Sequence, residues 1–148
     1  MIQRFIQRVG ESPDMEAAPR ITVDDLVSTP RSGLLVAEGG MGKSQFLEDL
    51  NRRLTGKATF VRLAFFSGNQ QGLARQFESV AKADPGHTLI LDGLDEAVDL
   101  AGTLRQCVPE LPDDIHVWIA SRDCRQLATV SNALKKLVRY RLLPFSED

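Results

Sequence analysis

The chain has 148 residues, 43% of them apolar and 26% charged, a composition that fits one globular domain with a sizeable core and excludes disordered, collagen-like and fibrous classes. Its longest apolar runs, such as Leu89–Leu91 and Val117–Ala120, fall far short of the ~18 to 20 residues needed to span a bilayer, so no transmembrane helix and no membrane partner are expected. With 18 basic and 20 acidic side chains, a net of −2, no summed field favours a polyanion, and direct nucleic-acid binding is not predicted.

In Met1–Val9, Ile2, Phe5, Ile6 and Val9 recur at helical spacing with Arg4 and Arg8 opposite, which predicts a short amphipathic helix packed on a neighbour. It lacks the uninterrupted apolar stretch of a secretory signal, and the nearby Glu11, Asp14 and Glu16 are unlike a transit peptide. Glu11–Arg20, with two prolines and mixed charge, reads as a linker. Residues 1–20 are thus expected to be helix and linker, and residues 21–148 one folded domain.

From Gly33 onward, β-type runs alternate with helical patterns, as in a parallel α/β sheet with crossover helices. The predicted strands are Leu34–Ala37, Thr59–Phe66, Thr88–Leu91, Ile115–Ala120 and Val138–Leu143. Between them lie four helical stripes: Phe46, Leu47, Leu50 and Leu54; Leu73, Phe77 and Val80; Leu100, Leu104 and Cys107; and Leu127, Val130, Leu134 and Leu137. The near-continuous apolar strands fit a sheet covered on both faces. Ser146, Glu147 and Asp148 resemble a helix N-cap and acidic first turn without the helix, so the chain is expected to be a piece of a longer protein. Cys107 and Cys124 have neither C-x-x-C nor metal-ligand spacing, which predicts reduced core thiols and a cytoplasmic location.

The strongest chemical signal is Ala37-Glu38-Gly39-Gly40-Met41-Gly42-Lys43-Ser44, between an apolar strand and an amphipathic helix. Glycines let backbone N–H groups approach phosphate oxygens, and a helix N-terminus adds favourable partial charge. Glu38, Gly39, Gly40, Met41, Gly42, Lys43, Ser44 and Gln45 are therefore the candidate nucleotide-contacting residues. Lys43 would reach the β and γ phosphates, and the Ser44 hydroxyl would ligate Mg2+. Ala37 stands where the stricter pattern has glycine.

A second signal is Thr88-Leu89-Ile90-Leu91-Asp92-Gly93-Leu94-Asp95-Glu96, an apolar strand ending in acids, which reads as a Walker B element. A carboxylate at the C-terminal end of a buried strand points into the same crevice as the phosphate loop. Asp92 is the metal-side candidate, and Asp95 or Glu96 would orient the attacking water. The competing reading is that one of these two acids caps a helix starting near Leu94.

Asp92-Gly93-Leu94-Asp95-Glu96 resembles the D-[GAS]-hydrophobic-D-E Walker B variant of NACHT domains, within the STAND class of signalling NTPases. Ala37–Ser44 is similar to that family's P-loop, and Val117–Ala120 followed by Ser121-Arg122-Asp123 resembles its sensor 1 strand. Leu142-Leu143-Pro144-Phe145-Ser146 is similar to the passage into its helical domain; plant-type relatives, with a second aspartate where this chain has Gly93, match less well. Covering Ile21–Asp148, the resemblance implies a three-layer P-loop NTPase core whose five parallel strands run in order 5-1-4-3-2. It also implies an ATP-governed switch that rests with ADP, self-associates, and works with flanking sensor and effector domains in signalling or defence. The family's helical and winged-helix domains would follow Asp148. ATP rather than GTP rests on the same resemblance, together with the lack of an N-K-x-D motif.

Arg122, at its strand end, could contact the γ phosphate and report hydrolysis; the bland alternative is an ion pair with Asp123 or another acid. His87, His116 and Trp118 are expected in the core or at its rim. Two other function classes fit a P-loop: a small-molecule kinase, which would need an acceptor site and an arginine-rich lid, neither evident here, and an oligomerisation scaffold that binds ATP with negligible hydrolysis.

Overall fold

A computed structural model describes residues 4–9, 19–37, 43–134 and 137–143. The strands are β1 (Ile6–Arg8), β2 (Arg20–Ile21), β3 (Gly33–Val36), β4 (Ala58–Arg62), β5 (Thr88–Asp92), β6 (His116–Ser121) and β7 (Val138–Leu142). The helices are α1 (Val23–Ser28), α2 (Lys43–Arg53), α3 (Gln70–Ala81), α4 (Ala101–Cys107) and α5 (Arg125–Ala133). The strands form one mixed sheet in the order β2-β1-β7-β3-β6-β5-β4.

The expected five-stranded, all-parallel sheet is therefore corrected to a mixed sheet of seven strands among the described residues. β1 pairs antiparallel with both β2 and β7, whereas the pairs β7–β3, β3–β6, β6–β5 and β5–β4 are parallel. The parallel strands lie side by side as β7, β3, β6, β5 and β4, so β6 separates the strand leading to the phosphate loop from the strand ending in Asp92.

The helix expected over Met1–Val9 is also corrected, because its described part holds strand β1. Nine residues are too few for a self-supporting helix, since nucleation is costly. The edge of β7 instead offers backbone partners, with Ile6 opposite Leu142 and Arg8 opposite Tyr140. Ile6 is 0% exposed and packs with Ile21, Tyr140 and Leu142, so the folded body takes in residues before Ile21. The proposed linker falls almost entirely outside the described residues; its last residue, Arg20, is in β2.

Alternation along the strands builds two cores. On one face Leu34, Leu89, Leu91, Val117 and Ile119 meet Leu73, Phe77 and Val80 of α3, Leu104 of α4, and Leu127 and Val130 of α5. On the other, Leu35, Ile90, Trp118 and Ala120 meet Leu26 of α1 and Phe46, Leu47 and Leu50 of α2. All five residues of β5 are buried, as its unbroken apolar run requires of a central strand. Gly33 lets the backbone pass close under the second core: a Cβ there would lie 2.8 Å from Trp118 Cζ3 and 2.9 Å from Tyr140 Cδ2. The two rings are tilted by 49° to each other, with 5.3 Å between centroids.

Three further boundaries differ from expectation. The strand predicted to Phe66 ends at Arg62, and Leu63–Phe66 form a 3₁₀ turn that carries the chain off the sheet edge and leaves Phe65 79% exposed. Residues Leu94–Glu96 form a 3₁₀ turn rather than the start of a long helix, and α4 begins only at Ala101. Helix α5 ends at Ala133, yet Leu134 stays buried just beyond it. The capping triplet Ser146-Glu147-Asp148 lies outside the described residues.

Candidate functional site

The site lies at the C-terminal ends of β3, β5 and β6, where crevice geometry in open α/β sheets collects ligand-binding groups. Ala37 N–H donates to Ser121 C=O at 3.1 Å, so β3 and β6 leave the sheet together. Glu38, Gly39, Gly40, Met41 and Gly42 lie outside the described residues. Lys43 opens α2, with Ser44 and the exposed Gln45 next in its first turn.

Folding brings together two of the predicted residues that are 48 positions apart. Ser44 Oγ donates a hydrogen bond to Asp92 Oδ2 at 2.9 Å. Asp92 is 5% exposed at the end of β5, in register with Ala120 of β6 and Arg62 of β4. A hydroxyl and a carboxylate held at this distance are two hard oxygens of the kind a small divalent cation takes while keeping several waters, so the pair fits Mg2+. Among the described residues no group of three or more His, Cys, Asp or Glu side chains is placed to hold a metal.

Beyond Asp92 the backbone turns sharply. Gly93 adopts φ 84°, ψ 43°, a left-handed conformation that other residues reach only with strain, and its N–H donates to Ala120 C=O at 3.0 Å. The turn presents Asp95 and Glu96 in different settings. Asp95 is half-buried, and its Oδ1 accepts the backbone N–H of Arg122 at 3.1 Å. Glu96 is exposed and folds back over the turn, its Oε2 3.3 Å from where a Gly93 Cβ would stand. The acid expected to cap a helix near Leu94 thus binds an amide of the neighbouring segment instead.

The Arg122 side chain is exposed, and the ion pair with Asp123 weighed from the sequence is not what Asp123 makes: its Oδ1 lies 3.5 Å from Arg139 on β7. Gln126, one helical turn after Arg122, went unnoticed in the sequence. Its Nε2 donates to Leu94 C=O at 3.2 Å and to Ala97 C=O at 2.7 Å. No sequence signal marks it, because it falls outside every motif and its partners are backbone atoms.

The remaining candidates sit away from this edge. His87 shares a 2.8 Å hydrogen bond with Thr59 Oγ1, and Trp118 is 1% exposed in the core. Burial lowers the pKa of the His116 imidazole, while Asp114 pulls it up. Cys107 and Cys124 are free, partly buried thiols that pack against the first core, at its margin rather than its centre. Burial, then Glu110 and Glu78, raise the pKa of the Cys107 thiol. A cavity of about 460 Å³ between α3 and α4 and another of about 410 Å³ beside Ile115, Val117 and Leu134 are both lined by residues outside this site. Among the described residues, no helix is long and apolar enough to cross a membrane.

The chain matches no protein-family model and no curated protein.

Proposed function

We propose that this chain is the nucleotide-binding core of an ATP-governed switch of the NACHT type, within the STAND class, that hydrolyses ATP slowly. The observation that carries the reading is the Ser44 Oγ to Asp92 Oδ2 contact of 2.9 Å, which joins the end of the phosphate-loop motif to the end of the acidic strand. A fold could bury one serine against one carboxylate for stability alone. Supporting the functional reading is the convergence, at the C-terminal ends of the strands, of the first turn of α2, a buried strand-end acid, two further acids and an exposed arginine.

In this reading the backbone of residues 38–42 and the amino end of α2 cradle the phosphates, and Lys43 neutralises their charge. Ser44 and Asp92 would hold Mg2+, which supplies charge neutralisation on the phosphate oxygens when bound. Glu96, exposed and not engaged in the contact that occupies Asp95, is the better acceptor for an attacking water, and Arg122 reads the γ phosphate. Self-association, companion sensor and effector domains, cytoplasmic work and a part in signalling or defence belong to the same proposal and rest on the resemblance of Asp92–Glu96 and Ala37–Ser44.

The test is calorimetry of ATP, ADP and GTP with Mg2+ on the parent and Lys43→Ala. Removing one charge-assisted contact of ~1.5 to 3 kcal/mol should weaken adenine-nucleotide binding roughly ten- to a hundredfold. Equal affinity in the two proteins would remove the phosphate-cradle assignment.

A further inference from the structure

The geometry points to Gln126 as a positioning residue that couples the Asp95–Glu96 turn to the Arg122 segment. Its Nε2 reaches two carbonyls of the same turn, Leu94 at 3.2 Å and Ala97 at 2.7 Å, so it clamps the 3₁₀ turn at both ends. The turn returns a contact to the segment from which Gln126 comes, because Asp95 Oδ1 accepts Arg122 N–H at 3.1 Å. Gly93 N–H to Ala120 C=O, 3.0 Å, closes the base of the same loop.

The clamp is anchored on a rigid element. Leu127 and Val130 of α5 are fully buried against the sheet, so Gln126 projects from a helix that cannot easily shift. The turn is tied on its far side as well, by Val98 N–H to Ser67 Oγ at 3.0 Å and Gly68 N–H to Val98 C=O at 3.2 Å. The amide orientation follows from its two partners, because reversing it would set Oε1 against two carbonyl oxygens. The arrangement makes the acids of the turn and the backbone of Arg122 one mechanical unit. Under the function proposed above, on which this consequence rests, holding these groups as one unit fixes the water-orienting acid at a set distance from Arg122, so a γ phosphate that meets Arg122 also meets the acid in place.

The coupling is measurable without nucleotide, by amide hydrogen exchange on the whole chain. Gln126→Leu keeps the bulk and removes both donors; it should speed exchange of the Arg122 amide about tenfold while the Ile90 and Ile119 amides in the sheet exchange as in the parent. The reciprocal variant Asp95→Ala leaves Gln126 in place and should speed exchange of the Gln126 side-chain amide protons, which keeps the test available if Gln126→Leu does not fold. Unchanged exchange at Arg122 in folded Gln126→Leu, or unchanged Gln126 protons in Asp95→Ala, would overturn the coupling. Equal acceleration throughout the sheet would also overturn it, because that is loss of global stability. The catalytic consequence is read separately: kcat for ATP should fall about tenfold in Gln126→Leu with the ADP Kd within about twofold, and a parallel loss of ADP binding would reduce the residue to a structural one. A parent that binds no nucleotide in a Lys43-dependent way would remove the proposed function and leave the exchange result standing on its own.

Discussion

Ser44→Ala separates the two things the Ser44–Asp92 contact could do. The Ser44 hydroxyl sits 2.9 Å from a carboxylate that is 5% exposed, so bulk water cannot freely replace the lost donor. A hydrogen bond to a charged group contributes ~1.5 to 3 kcal/mol. At ~2 to 4 °C per kcal/mol for a domain near this size, the melting temperature should drop ~3 to 12 °C. Ser44→Thr keeps the hydroxyl and should recover most of that loss. Thermal denaturation followed by circular dichroism, without nucleotide or magnesium, gives the stability effect. Titration of Mg2+ into the ADP-loaded proteins gives the functional one, and there the alanine variant should bind the metal more weakly and the threonine variant about as well as the parent. A melting temperature within ~1 °C of the parent, or alanine and threonine behaving alike, would refute the reasoning that this contact is made and matters.

Three other perturbations test separate parts of the structure. Gly33→Ala drives a Cβ to 2.8 Å from the Trp118 ring and 2.9 Å from that of Tyr140; chemical denaturation should show a loss of ~1 to 3 kcal/mol, and parent-like stability would mean that the two rings part easily. Glu96→Gln should leave ATP binding within about twofold and slow phosphate release about 10²-fold, because a water-orienting acceptor matters more in the transition state; equal turnover would pass that role to Asp95. His116 titrates below the ordinary imidazole range through burial, with Asp114 opposing. The unfolded chain therefore binds more protons than the native protein just below about pH 6.5, and stability falls as the pH drops through that window. His116→Asn should flatten the fall, and urea midpoints at about pH 7.5 and pH 5.5 that differ equally in both proteins would refute it.

The motifs at the site were legible because their chemistry is local. A phosphate loop needs consecutive glycines before Lys43 and Ser44, and a buried strand ending in an acid shows itself as Leu89-Ile90-Leu91-Asp92. The helical stripes were legible for the same reason: Phe46, Leu47 and Leu50, like Leu73, Phe77 and Val80, all face the core as their spacing requires. Gln126 and the partner of Asp95 were not, because these contacts run to two carbonyls and a backbone amide far away in sequence, and backbone atoms carry no sequence signal.

Short segments at the boundaries show the same division. Ile2, Phe5, Ile6 and Val9 satisfy a helical period, but a three-residue strand needs only Ile6 to face inward. Which conformation wins depends on whether a sheet edge is available, and the edge belongs to β7, more than a hundred residues later, with Ile6 opposite Leu142. By itself, the sequence determined an alternating α/β chain, the residues lining its two cores, and a phosphate-loop motif followed by a strand-end acid, all set by side-chain periodicity and composition within a few turns of chain. Only the tertiary structure decided that the sheet has seven mixed strands, that Ser44 meets Asp92, and that Asp95 binds the Arg122 amide. Strand order, edge pairing and the partners of buried polar groups depend on non-local geometry, in which distant segments compete for the same hydrogen bonds.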